Sequence, residues 1–213
     1  IVKVFDMVAG GTGATERQLI AAGVDYRAVH VHPSGHAGYY PGTAMMNMKL
    51  LFAPDTGRIL GGQVAGFDGV DKRLDVLATA LRAELTVWDL EELELAYAPP
   101  FGSAKDPVNM AGFVASNVLL GDLVLWYAQA YPHATDGARI IDMRTPEEFS
   151  VWHRSGAGDR PDRSGLRGHA GEEGHLLNVG AAGIPVVQVA PTARDRLPGL
   201  IAVEHLGVLF REL

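Results

Sequence analysis

The sequence predicts an α+β fold for residues 1–121, an antiparallel sheet covered by helices, and three observations carry that prediction. Residues 44–52 and 59–66 are apolar runs on either side of Asp55-Thr56-Gly57-Arg58, a tight polar turn, which is the pattern of an antiparallel hairpin. Residues 70–84 place Leu74, Leu77, Ala78 and Leu81 at i, i+3, i+4 and i+7, one apolar face of a helix. Patterned segments with clear breaks run from Ile1 to about Asp122, whereas from about Arg154 Gly, Pro and Arg accumulate and the periodicity fades. The chain therefore reads as two unequal parts, residues 1–121 and 122–213.

The remaining elements follow in chain order. Residues 2–8 read as a strand, and 15–22 as a short helix closed by Gly23, where glycine takes the left-handed C-terminal conformation. Residues 26–32 read as a further strand. Beyond the helix at 70–84, Thr86 with Asp89 three residues on opens another helical turn through Leu93. Pro107 suits the first turn of a helix to about Val118, ended by Gly121.

Composition narrows the function. The chain of 213 residues carries a net charge of −7, with 18 basic against 25 acidic residues and no Lys/Arg cluster, so it has no electrostatic footprint for nucleic acid. No apolar run approaches the ~20 residues that cross a bilayer, which predicts a chain with no membrane partner. With no cysteine, the chain has no disulfide, no thiolate metal site and no cysteine nucleophile of its own.

Several motifs then compete. Val8-Ala9-Gly10-Gly11-Thr12-Gly13-Ala14-Thr15-Glu16 superficially suggests a dinucleotide fingerprint, but Glu16 stands where the pattern needs glycine or alanine, and no acidic residue ends a strand ~20 residues on. It reads instead as a strand-to-helix turn with Glu16 near the helix dipole. His30, His32 and His36 are the densest imidazole group, the first two on one strand face, yet no nearby carboxylate completes a metal site and none is expected. Tyr39-Tyr40 and Tyr97 lie in Gly/Pro-rich loops, where a phenol either packs or donates a proton to a leaving anion.

Tyr39-Tyr40-Pro41-Gly42, the hairpin at 49–62, the run Gly69-Val70-Asp71-Lys72-Arg73-Leu74-Asp75 and Tyr97-Ala98-Pro99-Pro100-Phe101, in this order, resemble a known module. It is the C-terminal dimerisation domain of pyridine nucleotide-disulfide oxidoreductases, most closely in the coenzyme A disulfide reductase branch, with NADH oxidases and peroxidases as near relatives. The resemblance implies a cytoplasmic homodimer in which this module builds the interface, or a pairing with a full-length reductase. It implies that Tyr39 and Tyr97 face the thiol substrate of the partner subunit and hydrogen-bond or protonate the departing coenzyme A thiolate. Pro99, Pro100 and Phe101 match the segment against the partner's flavin ring. The intact reaction passes a hydride from NAD(P)H to FAD and on to a cysteine–coenzyme A mixed disulfide. The flavin and nicotinamide domains and the redox cysteine are not recognisable in this chain, so it reads as a fragment that is inactive alone and binds neither FAD nor NAD(P)H. The alternative is a stand-alone dimerising or regulatory module without catalysis.

Residues 138–149 with Trp152-His153 are similar to the opening of a rhodanese domain. The similarity then stops: Arg154-Ser155-Gly156-Ala157 is a damaged turn, and the strand candidate at 184–190 has no nucleophile beside it. Either a reading-frame change near His153 or a diverged rhodanese-like domain accounts for this, with poor order expected after 153. Sulfur transfer is excluded on either account because it needs the thiolate.

Overall fold

The computed structural model describes residues 1–123, 125, 139–142, 150, 176–179, 186–189 and 199–202. The chain divides into two units, Ile1–Leu119 and Leu120–Leu213. In the first, five strands form one antiparallel sheet: β1 (Val2–Val4), β2 (Met7–Gly13), β3 (Arg27–Val31), β4 (Asn47–Phe52) and β5 (Ile59–Gly66), in the order β1-β2-β5-β4-β3. Four helices accompany it: α1 (Glu16–Ala22), α2 (Val70–Arg82), α3 (Val87–Glu92) and α4 (Pro107–Leu120).

The hairpin pairs β4 with β5 around the predicted turn, where Gly57 takes φ 67° and lies under the Trp88 ring. Both short helices open with capping boxes. Thr15 accepts from the Gln18 amide and the Gln18 side chain answers it; Thr86 and Asp89 repeat the arrangement on α3. Gly23 closes α1 at φ 65°, and α2 stops at Arg82 rather than 84 because Glu84 itself adopts φ 58°.

Two sequence readings are corrected. The expected strand at 2–8 is two strands, broken at Phe5 (φ 53°), which lets β1 fold back on β2 as a hairpin. The glycine run Gly10–Gly13 is not a strand-to-helix turn but the body of β2, paired with Gly61–Val64 of β5. Close helix packing explains the glycines. A Cβ at Gly10 would stand 2.6 Å from Leu74 Cδ1, and one at Gly62 2.8 Å from Leu77 Cδ1, so the apolar stripe of α2 sits directly on the backbone of β2 and β5.

Register alternation assigns the two sheet faces. Val29, Met48, Leu50 and Val64 share the α2 face and are buried. Ala28 and Leu51 lie on the other, where Leu19 of α1 packs against them. α3 and α4 pack tightly, since a Cβ at Gly112 would lie 2.9 Å from the Val87 carbonyl oxygen. The Arg73–Asp106 pair sets the start of α4 beside the start of α2.

The second unit is described only as strand pairs: β6 (Arg139–Asp142) parallel to β7 (Leu176–Val179), and β8 (Val186–Val189) antiparallel to β9 (Gly199–Ala202). The strand expected within 184–190 coincides with β8. The damaged turn at 154–157 and most of the segment expected to be poorly ordered lie outside the described residues.

Candidate functional site

The two tyrosine loops, 58 residues apart in sequence, meet at the surface. Tyr39 and Tyr97 are 77% and 51% exposed, and their hydroxyls stand 3.5 Å apart, the outer limit of a hydrogen bond. That contact, followed by slight burial and the charge of Tyr97, raises the Tyr39 phenol above its ordinary value of 10.0. A raised value means that the neutral phenol is favoured, as it is when Tyr39 donates to the Tyr97 oxygen and leaves the Tyr97 O–H free to donate outward.

Each loop has its own internal fastening. The Tyr40 amide donates to the Ala37 carbonyl (2.9 Å), and the Tyr40 ring stands edge-on to buried His36 at 5.7 Å. In the second loop the Phe101 and Gly102 amides both donate to the Ala98 carbonyl, turning the chain at Pro99-Pro100. The Ala37 amide donates across to the Gly102 carbonyl at 3.0 Å and straps the loops together. Pro99 and Pro100 are half-buried in this turn, while Phe101 is exposed and shares the surface with the tyrosines.

A buried charged hub beneath the loops escaped the sequence reading. Arg73, 2% exposed, donates through Nε and Nη2 to both carboxylate oxygens of Asp106 (3.3 and 2.8 Å), through Nη2 to the Gly35 carbonyl (2.8 Å) and through Nη1 to the Gly69 carbonyl (3.2 Å). Gly69, at φ 66°, makes room for this: a Cβ there would meet Arg73 Nη1 at 2.1 Å. Asp106 also caps α4, accepting from the Val108 amide, while Asn109 accepts from the Asp106 amide and donates to the Leu90 and Leu93 carbonyls. Lys72 Nζ reaches the carbonyls of Ala96 (3.5 Å) and Phe101 (3.4 Å) and lies 3.7 Å from Asp106. The available signal was Asp106-Pro107 followed by Asn109, a cap sequence, together with the adjacent cations Lys72 and Arg73 in the first turn of an amphipathic helix.

The histidines do not converge. His30 lies on β3 opposite Lys49; burial first, then the charges of Lys49 and His32, lower its pKa from 6.5 to about 3. His32 shares a 2.6 Å hydrogen bond with the Asn47 side-chain oxygen, and His36 is in the tyrosine loop. Among the described residues no group of three or more His, Cys, Asp or Glu could hold a metal ion. Glu16 opens α1 and pairs with Lys49 of β4 rather than facing a phosphate. Nor does the glycine run fit a dinucleotide: it is a strand paired with β5 rather than a loop entering a helix, and Leu74 of α2 covers Gly10. No helix among the described residues is long and apolar enough to cross a membrane.

Comparison with known proteins agrees with this architecture. Residues 1–107 match the family described as pyridine nucleotide-disulphide oxidoreductase, dimerisation domain. Coenzyme A disulfide reductase of Staphylococcus haemolyticus is 40% identical over 118 residues, which is 55% of this chain and 26% of that protein. The chain thus spans about a quarter of that relative's length. Reduced Bacillus anthracis CoADR-RHD is similar at 41% identity and a TM-score of 0.76, over 85% of this chain and 34% of its own. The NAD-dependent persulfide reductase of A. fulgidus is similar at 32% identity and a TM-score of 0.72, over 83% of this chain and 32% of its own. With the match covering half of its length, the chain belongs to the pyridine nucleotide-disulphide oxidoreductases through their dimerisation domain.

Proposed function

We propose that residues 1–121 are the interface domain of an FAD-dependent NAD(P)H disulfide reductase of the coenzyme A disulfide reductase type, presenting Tyr39 and Tyr97 to the substrate held by a partner subunit. The single observation that carries this reading is the exposed hydroxyl pair. Two phenols from distant loops meet at the surface with little burial to explain them by packing. The names and identities of the coenzyme A disulfide reductases support the substrate class, and the match to a dimerisation domain supports a homodimer.

The chemistry suits a leaving thiolate. When a cysteine–coenzyme A disulfide is reduced by two electrons, the S–S bond breaks and an electron pair departs on the coenzyme A sulfur. A thiol has a pKa near 8.5 and a phenol near 10, so complete proton transfer from tyrosine to thiolate is uphill by ~2 kcal/mol. The raised Tyr39 value increases that difference. The pair therefore acts by hydrogen-bonding to the sulfur as negative charge develops there, with the lasting proton coming from solvent. At 3.5 Å the bond between the hydroxyls is at its outer limit, so Tyr39 can exchange Tyr97 for the sulfur to which the Tyr97 O–H donates.

FAD and NAD(P)H are the cofactors of the intact enzyme on this reading. The residues described here do not fit either dinucleotide, so no step on this chain runs through them; Pro99, Pro100 and Phe101 instead offer an edge for the partner's flavin. The fragment alone is inactive, since the redox cysteine is absent from its sequence. For residues 122–213 we infer a rhodanese-like origin, supported by the two structures that align over more of the chain than the first 121 residues make up.

The test is a chimera in which residues 1–118 replace the matching segment of the S. haemolyticus enzyme. It is expected to dimerise, retain flavin and reduce coenzyme A disulfide. A flavin-loaded dimer without turnover would contradict the reading.

A further inference from the structure

We propose that Lys72 and Arg73, at the start of α2, and Asp106, at the start of α4, are positioning residues that hold Tyr39 and Tyr97 in register. This rests on the reading of the tyrosine pair as the group that faces the substrate. Arg73 Nη2 joins the two loops through one nitrogen, donating to the Gly35 carbonyl at the root of the Tyr39 loop and to the Asp106 carboxylate at the root of the Tyr97 loop, each at 2.8 Å. Lys72 reaches along the second loop, bonding carbonyls on both sides of Tyr97-Ala98-Pro99-Pro100. The Ala37–Gly102 strap closes the bracket near the surface.

Stability alone does not account for the arrangement. A buried ion pair commonly does no better than well-packed apolar residues of similar volume, because desolvation offsets the attraction. Capping α4 requires only a side-chain oxygen at 106, which Ser or Asn would also supply. Neither the Gly35 bond nor the reach of Lys72 serves the cap. Apart from the cap, the Lys72–Asp106 approach and the Arg73 bond to the Gly69 carbonyl at the start of α2, the contacts of these residues go to carbonyls in or at the root of a tyrosine loop. Without them, the Ala37–Gly102 strap is the one backbone hydrogen bond between the two loops among the described residues. The tyrosine hydroxyls would then sample a wide range of separations.

The experiment uses the 213-residue chain with 13Cζ-labelled tyrosine, following the titration of Tyr39 and Tyr97 by NMR, each assigned from its Tyr→Phe variant. Tyr97→Phe should lower the Tyr39 midpoint toward 10.0, because the partner that favours the neutral phenol is gone. Lys72→Met, which leaves the Arg73–Asp106 pair intact and alters a side chain one-third exposed, should lower it in the same direction and add nothing to Tyr97→Phe. Lys72→Arg should keep the parental midpoint. Asp106→Asn should act like Lys72→Met; if it unfolds, Lys72→Met decides. A folded Lys72→Met chain with the parental Tyr39 midpoint overturns the positioning role while the pair stands. A Tyr97→Phe chain with the parental midpoint overturns the pair itself. Neither result depends on turnover, so the substrate role is judged separately by the chimera.

Discussion

Removing Arg73 tests whether the hub is as tightly interdependent as its geometry indicates. In Arg73→Met the apolar stem is kept and the charge lost, leaving Asp106, 3% exposed, without its bidentate partner and the Gly35 carbonyl without its donor. Breaking a buried pair from one side costs about 3–5 kcal/mol. Here Lys72 at 3.7 Å and the Val108 amide remain on Asp106, which places the expected loss at the lower end, about 3 kcal/mol. With a urea m-value of about 2 kcal/mol/M, the midpoint should fall by about 1.5 M. Trp88 fluorescence reports the first unit once Trp126 and Trp152 are changed to Phe. Arg73→Met combined with Asp106→Ser removes both charges and retains a capping oxygen, so the double variant should lose less than the two singles added together, by roughly 1–3 kcal/mol. A midpoint shift below about 0.5 M for Arg73→Met, or additive singles, would show that the hub residues act independently.

Further outcomes follow from other parts of the module. His30 stays neutral in the folded chain down to about pH 3, whereas an unfolded histidine takes up a proton near 6.5, so the unfolded state binds more protons between those values. Stability is therefore lost as pH falls through 6.5, by about 2 kcal/mol at pH 5, and His30→Gln should flatten that part of the urea-midpoint profile between pH 7.5 and 5; an unchanged slope speaks against it. Gly61→Ala would place a Cβ 2.1 Å from the Ala14 carbonyl oxygen and should cost more than 3 kcal/mol, whereas Gly11→Ala, with its closest contacts at 3.2 and 3.3 Å, should stay within about 1 kcal/mol; equal urea midpoints would contradict this. The chain should self-associate at tens of micromolar, an order-of-magnitude choice for a moderate interface, and a strict monomer by sedimentation would count against an interface domain.

Local signals made much of the fold legible before the structure. The Asp55–Arg58 turn, the Thr15 and Thr86 capping boxes and the leucine stripe of α2 each lie within a few residues of the contact they specify. Where readings failed, the deciding contact was remote. Gly10–Gly13 looked like a loop because glycine has no strand preference of its own; its place in β2 is set by β5 and by Leu74, both some 50 or more residues away. The break at Phe5 needs a positive φ that nothing in its neighbours announces. At the site, resemblance singled out Tyr39 and Tyr97, but no local pattern brings together hydroxyls 58 positions apart. Arg73 and Asp106 are 33 apart, and each carries a plausible local role that hides the pairing: one on a helix's polar side, the other as a cap.

On the proposed function, this module lends a hydroxyl pair to a partner's thiol chemistry. Single-turnover kinetics of the chimera with Tyr39→Phe and Tyr97→Phe tests it most directly, with flavin reduction and thiol release followed separately. Flavin reduction by NAD(P)H should keep the parental rate, thiol release should slow by about 10²-fold or more, and thermal stability should scarcely change, because only a donor to the departing sulfur has been removed. Phe variants that release thiol at the parental rate, or that fail because they unfold, would contradict the account and leave the tyrosines as packing residues.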